Sequence, residues 1–384
     1  MTITGPMPLP RIVGGANDIL VDADGHRCID LFSGHGTVWL GHATPRIAAA
    51  LAEQAAGVWN TGGLKMPIHA EAESLLQAFF PASHYPAALY STGMEAAEFA
   101  LRMARSVTKK SGAVGFARNL HGKSLATAQL GWDNSAAPPV ADFHRLPFLP
   151  KVSESEALDA LERTLAGGNI SAVFIEPIQG SGGGHSASPD FYDRVIRRCR
   201  AHGALAVFDE MLTGFYRTGP PFFFSELTEV PDQILVGKAM GNGFPVSAVI
   251  ADRKYPVEAG MFPGSTYAGN PLAAAAVAAT LREMRILDLP TRVAAIEKII
   301  VAELRPLETS GIALRGRGAL WVIELPPPLE PHRLASCLYQ RGVLVSYAGN
   351  LLRILPAATI DLDHLKEGCA LIAEVLTGKC HDET

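Results

Sequence analysis

Cysteine, aromatic residues and charge are all scarce in this chain. Its five cysteines, Cys28, Cys199, Cys337, Cys369 and Cys380, lie far apart in 384 residues and are odd in number. No CxxC or Cys/His grouping has zinc spacing, so the sequence offers no structural metal site. A reducing cytoplasm is the expected compartment, with Cys199 a helix-face or core thiol. Aromatics are 7% and charged residues 18%, with a net charge of −5 from 33 basic and 38 acidic residues. No Lys/Arg block is present, which argues against binding a nucleic-acid backbone. The longest apolar run, near Pro271–Thr280, is too short to cross a bilayer. Residues 1–10 lack a basic start followed by an apolar stretch, so no secretory signal is expected.

What remains is apolar: 48% of residues, with 37 Gly and 27 Pro. That supports a sizeable core, excludes a disordered chain and suits an α/β architecture with many tight turns. At about 100–200 residues per domain the chain holds two or three domains at most. Neither repeats nor low-complexity linkers interrupt it.

Asp24-Gly25, between Ile19–Val21 and Cys28–Leu31, predicts a hairpin. Pro45–Ala56 has apolar residues at helical spacing behind an opening proline. Strands and helices then alternate. Strands are predicted at Ala87–Tyr90, Ala113–Phe116, Ala172–Ile175, Ala204–Phe208, Gln233–Val236 and Ser247–Ile250, and helices at Thr92–Arg105, Glu156–Ala166 and Pro189–His202. This pattern implies a mostly parallel sheet covered on both faces, with ligands beyond the carboxyl ends of its strands. Helices at Pro271–Met284, Leu289–Thr309 and His364–Leu376, with strands at Gly318–Leu325, Val343–Val345 and Leu351–Leu355, predict a smaller α+β domain. The expected division is an N-terminal segment 1–45 packing with the small domain, a large α/β domain 46–280 and a small domain 281–384.

Four features fall at predicted strand ends. Ser91-Thr92-Gly93-Met94-Glu95 has capping-box spacing, and its helix start either binds an anion such as phosphate or is simply well capped. Asp209, after Ala204–Phe208, either caps a loop or partners a protonated ring nitrogen or a metal. Lys238 ends an apolar strand and is either an ion-pair partner or a desolvated amine able to form a Schiff base. Glu176-Pro177-Ile178-Gln179-Gly180-Ser181-Gly182-Gly183-Gly184 lacks the spacing of a dinucleotide fingerprint.

In their order, these motifs resemble the class III (ornithine/ω-amino acid) aminotransferases, which use pyridoxal phosphate on the fold-type I architecture. The most specific segment is Asp209-Glu210-Met211-Leu212-Thr213-Gly214-Phe215-Tyr216-Arg217-Thr218-Gly219, followed by Lys238. Ser33-Gly34 with Gly41-His42, Glu176–Gly180 and Ser265-Thr266-Tyr267-Ala268-Gly269-Asn270-Pro271 extend the likeness over nearly the whole chain.

The resemblance implies residue roles. Lys238 would hold the cofactor as a Schiff base and move the substrate proton, and Asp209 would keep the pyridine nitrogen protonated. Gly93 and Met94 would bind the phosphate, Leu120 and Met211 would cover the ring faces, and His121 and Glu176 would complete the cofactor site. Ser265 and Thr266 would reach the phosphate of a neighbouring subunit, so the site would be shared in a homodimer. Glu210 would support these surroundings. Arg353 would grip a substrate carboxylate, with a plain strand arginine as the alternative. His35 and Trp39 either line the substrate pocket or pack their loop.

The departures concern substrate. Leu120 stands where the family has an aromatic residue, Lys123 where the ornithine type has arginine, and Leu212 where glutamine is frequent. Ser181 stands where the ornithine-type enzymes carry a glutamate that masks the arginine, so Arg353 should stay available in both half-reactions. The expected activity is ping-pong transfer of an amino group between a primary amine or ω-amino acid and a 2-oxo acid, in specialised biosynthesis. An aminomutase, racemase or decarboxylating enzyme would use the same lysine and aspartate. A non-catalytic relative is disfavoured by the joint presence of Lys238, Asp209 and Thr266.

Overall fold

The structure, a computed structural model, describes residues 10–132, 139–255, 261 and 264–378. Strands β1 (Ile12–Ala16), β2 (Ile19–Asp22) and β3 (Arg27–Asp30) form an antiparallel meander, with β2 and β3 joined through the Asp24-Gly25 turn. Glycine-rich β1 shows no apolar alternation and lies outside the expected hairpin.

The middle of the chain builds one seven-stranded sheet from β4 (His84–Tyr90), β5 (Gly112–Phe116), β6 (Phe143–Leu146), β7 (Ile170–Ile175), β8 (Leu205–Asp209), β9 (Gln233–Gly237) and β10 (Ser247–Asp252). The order is β4-β10-β9-β8-β7-β5-β6, parallel from β9 through β6, with β10 antiparallel to both β4 and β9. The expected mostly parallel sheet is therefore present. Every residue of β5, β7, β8 and β9 is buried, as their unbroken apolar runs require of a sheet covered on both faces. Because β4 points the same way as the parallel strands, the segments after β4, β5, β7, β8 and β9 all emerge along one edge. That edge receives Gly93, His121, Glu176, Asp209 and Lys238.

The last strands are β11 (Ala313–Arg317), β12 (Leu320–Glu324), β13 (Val343–Leu344), β14 (Ser346–Ala348) and β15 (Leu351–Ile354). Four of them form the antiparallel sheet β11-β12-β15-β14, while β13 pairs in parallel with β3. The helix expected over Leu289–Thr309 ends at Leu304. Pro306 cannot supply the next helical hydrogen bond, and the chain tightens into a 3₁₀ turn over Arg305–Ser310. Cys28, Cys199 and Cys369 are buried free thiols, and Cys337 is disulfide-bonded. Among the described residues, no helix is long and apolar enough to cross a membrane.

Candidate active site

Strand β8 carries Asp209 to the sheet edge, where the side chain is only 6% exposed. Its Oδ2 lies 2.8 Å from Nδ1 of His121, and its Oδ1 accepts the Met211 N–H at 3.1 Å. A carboxylate only accepts, so the imidazole donates from Nδ1. The His121 ring is buried, and its Nε2 has no partner among the described residues. Glu176, at the end of β7, accepts the Leu120 N–H at 2.7 Å. Burial first, and then the charge of Asp209, push its pKa up to about 7.

Lys238 follows β9 in a left-handed conformation, φ 45°. A lysine pays for this backbone only where its surroundings fix it. Burial lowers its pKa, while Asp209 and Glu176 oppose the shift. Among the described residues the amine takes no hydrogen bond and no ion pair. The backbone before it is crowded: a Cβ at Gly237 would stand 2.7 Å from Sδ of Met211.

The helix Gly93–Thr108 begins beside this group. Its capping box is formed as expected: Thr92 Oγ1 accepts the Glu95 N–H at 3.1 Å, and Glu95 Oε2 accepts the Thr92 N–H at 2.9 Å. The box leaves the Gly93 and Met94 N–H groups unspent in the first turn. Ser247 on β10 ties the turn down, its hydroxyl donating to the Thr92 carbonyl at 2.7 Å.

A second cluster surrounds Arg353 on β15, which is 6% exposed. Its Nε donates to Ser346 Oγ at 2.8 Å, Nη1 to Ser181 Oγ at 3.1 Å and Nη2 to His35 Nδ1 at 3.0 Å. Ser346 faces Arg353 directly in the β14–β15 register. Expecting no strand at Ser346–Ala348, the sequence reading missed this partner; the Gly349-Asn350 turn ahead of β15 is its signal. Burial draws the Arg353 pKa down and Glu176 draws it back.

Three expected site residues lie apart from Lys238 and Asp209 in this chain, and two of them, Ser265 and Thr266, are expected at a neighbouring subunit's phosphate. Trp39 is 0% exposed, with the Arg217 guanidinium 4.0 Å above its ring. It packs the loop and lines no open pocket, because the fully buried Arg217 seals it. Thr266 is exposed, its carbonyl accepting from Asn60 Nδ2 at 2.8 Å, and no hydrogen bond links it or half-buried Ser265 to Lys238 or Asp209. Arg217 is a residue whose part the sequence did not reveal. It donates to the Gly36 carbonyl at 2.7 Å and the Pro356 carbonyl at 2.9 Å, joining the loop after His35 to the segment after β15. Glu210 accepts the N–H groups of Phe223 and Phe224 at 3.0 and 2.8 Å, and so braces the loop behind Asp209. Lys123 is exposed.

The residues present fit pyridoxal phosphate. A partnerless, desolvated amine and a buried carboxylate converge on one sheet edge with free helix N–H groups, the donor set for a carbonyl, a ring nitrogen and a phosphate. Gly93 and Gly237 both close on Met211, where a Cβ at Gly93 would stand 3.3 Å from its sulfur, leaving a cradle walled by backbone. Among the described residues, no group of His, Cys, Asp or Glu could hold a metal ion.

Residues 5–376 match the family model of the class-III aminotransferases. The 2-aminoadipate transaminase of Pseudomonas putida is 33% identical, covering 94% of each chain. The 4-aminobutyrate aminotransferase of Mycobacterium leprae is 29% identical over 97% of this chain and 92% of its own. The acetylornithine aminotransferase of Xanthomonas axonopodis pv. citri is 33% identical over 95% and 93%. Among solved structures, the ornithine aminotransferase of Toxoplasma gondii, described with partial occupancy of PLP at its active site, superposes with a TM-score of 0.87 at 25% identity, over 98% of this chain and 93% of that one. All four are named for transamination. The chain belongs to the class-III aminotransferases, enzymes that use pyridoxal phosphate.

Proposed function

We propose that Lys238 and Asp209 are the catalytic residues of this aminotransferase and that Arg353 receives the carboxylate of its 2-oxo acid. The observation that carries this reading is the convergence of a desolvated amine and a buried carboxylate at one sheet edge, with the buried guanidinium of Arg353 held to the loop after β7 through Ser181. Pyridoxal phosphate, when bound, supplies an electron sink for the bond to be ionised. Lys238 would hold its carbonyl carbon, Asp209 its ring nitrogen, Gly93 and Met94 its phosphate, and Leu120 and Met211 its faces.

The chain's own groups divide the remaining work. His121 donates to Asp209 and keeps that carboxylate oriented. Burial lowers the Lys238 pKa and so favours the neutral amine, the form able to take a proton from the substrate carbon and return it. Arg353 fixes the far end of the substrate, so that one carbon is presented to that amine. The donor is a primary amine or ω-amino acid and the acceptor a 2-oxo acid, in line with the relatives' names. The Ser265-Thr266 segment, with Thr266 exposed, supports a homodimer in which each protomer completes its partner's phosphate site.

Lys238→Ala tests the assignment. Borohydride reduction of the loaded wild type should add one cofactor mass to the peptide carrying Lys238, and the variant should show neither the adduct nor turnover. Multiple turnover by Lys238→Ala would refute the role given to the amine.

A further inference from the structure

Arg353 is a buried guanidinium whose three hydrogen-bond partners are all neutral: Ser346, Ser181 and the His35 imidazole. Among the described residues no carboxylate lies within ion-pair distance of it. A buried charge without a counter-charge is costly unless the site is built for one to arrive. Guanidinium has five N–H donors. Three are spent, one on each nitrogen, so one N–H remains on each terminal nitrogen. The three acceptors come from the loop at 33–36, the loop after β7 and strand β14. Together they immobilise the fork without discharging it.

We propose that His35 is a positioning and specificity-determining residue, the neutral acceptor that keeps the Arg353 fork aimed and uncompensated, so that a carboxylate borne by either the donor or the acceptor is received there. This rests on the reading of Arg353 as the carboxylate receptor.

Three observations support the assignment. First, the loop carrying His35 is built to hold it there. Ser33, Gly34 and His35 have φ of 47°, 55° and 62°, Phe32 meets the imidazole edge-on at 4.5 Å, and Arg217 anchors Gly36. Second, the His35 and Ser181 loops are pinned to one side chain. A Cβ at Gly36 would lie 2.8 Å from Cδ1 of Leu212, and one at Gly180 would lie 2.3 Å from its Cδ2, so both loops close on the Leu212 side chain. Third, the imidazole stays uncharged at neutral pH. It keeps an accessible face, yet desolvation, followed by the charges of Arg353, Lys238 and Lys123, pushes its pKa down to about 4.

The test is an isosteric pair. His35→Asn places a neutral oxygen near the Nδ1 position and tolerates the left-handed backbone. His35→Asp places an anion there. Glutarate, a dicarboxylate with no amino or oxo group, is titrated calorimetrically into the holoenzyme of wild type, the two variants, His35→Ala and Arg353→Ala. Wild type and His35→Asn should agree within about threefold, His35→Ala should bind about tenfold more weakly, and His35→Asp weaker still. The KM for a 2-oxo acid should follow the same order, with kcat changing less. No glutarate binding by wild type, or equal binding by Arg353→Ala, removes the receptor and this inference with it. Loss in Arg353→Ala with all three His35 variants unchanged overturns the His35 assignment alone. His35→Asp binding as well as His35→Asn overturns the argument from charge.

Discussion

His121 Nδ1 and Asp209 Oδ2 stand 2.8 Å apart, both side chains buried, one delivered by the loop after β5 and the other by the end of β8. The bond fixes the rotamer of the carboxylate at the end of β8. His121→Phe keeps an aromatic ring against Phe174 but donates nothing. Losing a hydrogen bond to a buried charge costs about 1.5–3 kcal/mol, so cofactor affinity should fall by about 10–100-fold. Fluorescence titration of the apoprotein with pyridoxal phosphate checks this. An unchanged affinity would reduce His121 to packing.

Glu176 makes stability depend on pH. Its pKa is raised from 4.5 to about 7. Between those values the folded chain binds more protons at this residue than the unfolded chain does, so its contribution to stability falls as pH rises. Glu176→Gln cannot ionise. Relative to wild type, the variant apoprotein should become more stable in urea as pH rises from about 5 to 8. A stability difference independent of pH would show that Glu176 stays ionised throughout.

Arg353→Lys keeps the charge and loses the planar fork. Three acceptors and a carboxylate cannot all be served by one ammonium with three donors. The KM for 2-oxo acids should rise about tenfold or more, and that for carboxylate-free amines should stay within about twofold. Equal effects on both substrates, measured by steady-state kinetics, would take Arg353 out of the carboxylate role.

Thr92→Ala removes the side-chain acceptor of the capping box. A loss of about 0.5–2 kcal/mol in urea unfolding is expected. Thr92→Ser should recover most of it, since the hydroxyl is what caps; a serine variant as weak as alanine would place the effect in the lost methyl group.

Much of the candidate site was legible in the chain because its groups sit at strand ends, and apolar strands announce their ends. Asp209 closes a buried run, Lys238 closes the next, and Thr92 and Glu95 mark a helix start in four letters. Their motif likeness also fixed the family. Helix and strand limits slipped where a local breaker acted, as at Pro306, or where a short strand had no alternation, as in β1 and β14.

The sequence by itself determined which groups are available: one amine, one carboxylate and one guanidinium in the order of a class-III aminotransferase, with serine at 181. Whether Trp39 or His35 meets Arg353 was decided only by the tertiary structure. Both lie in one loop, four positions apart, and nothing in their types separates them. Arg217 settles it by closing over Trp39 and gripping Gly36, while a strand more than three hundred residues away brings Arg353 to His35. Local preferences fix where strands and helices begin. Which side chains meet across the chain depends on long-range packing, which no segment encodes alone.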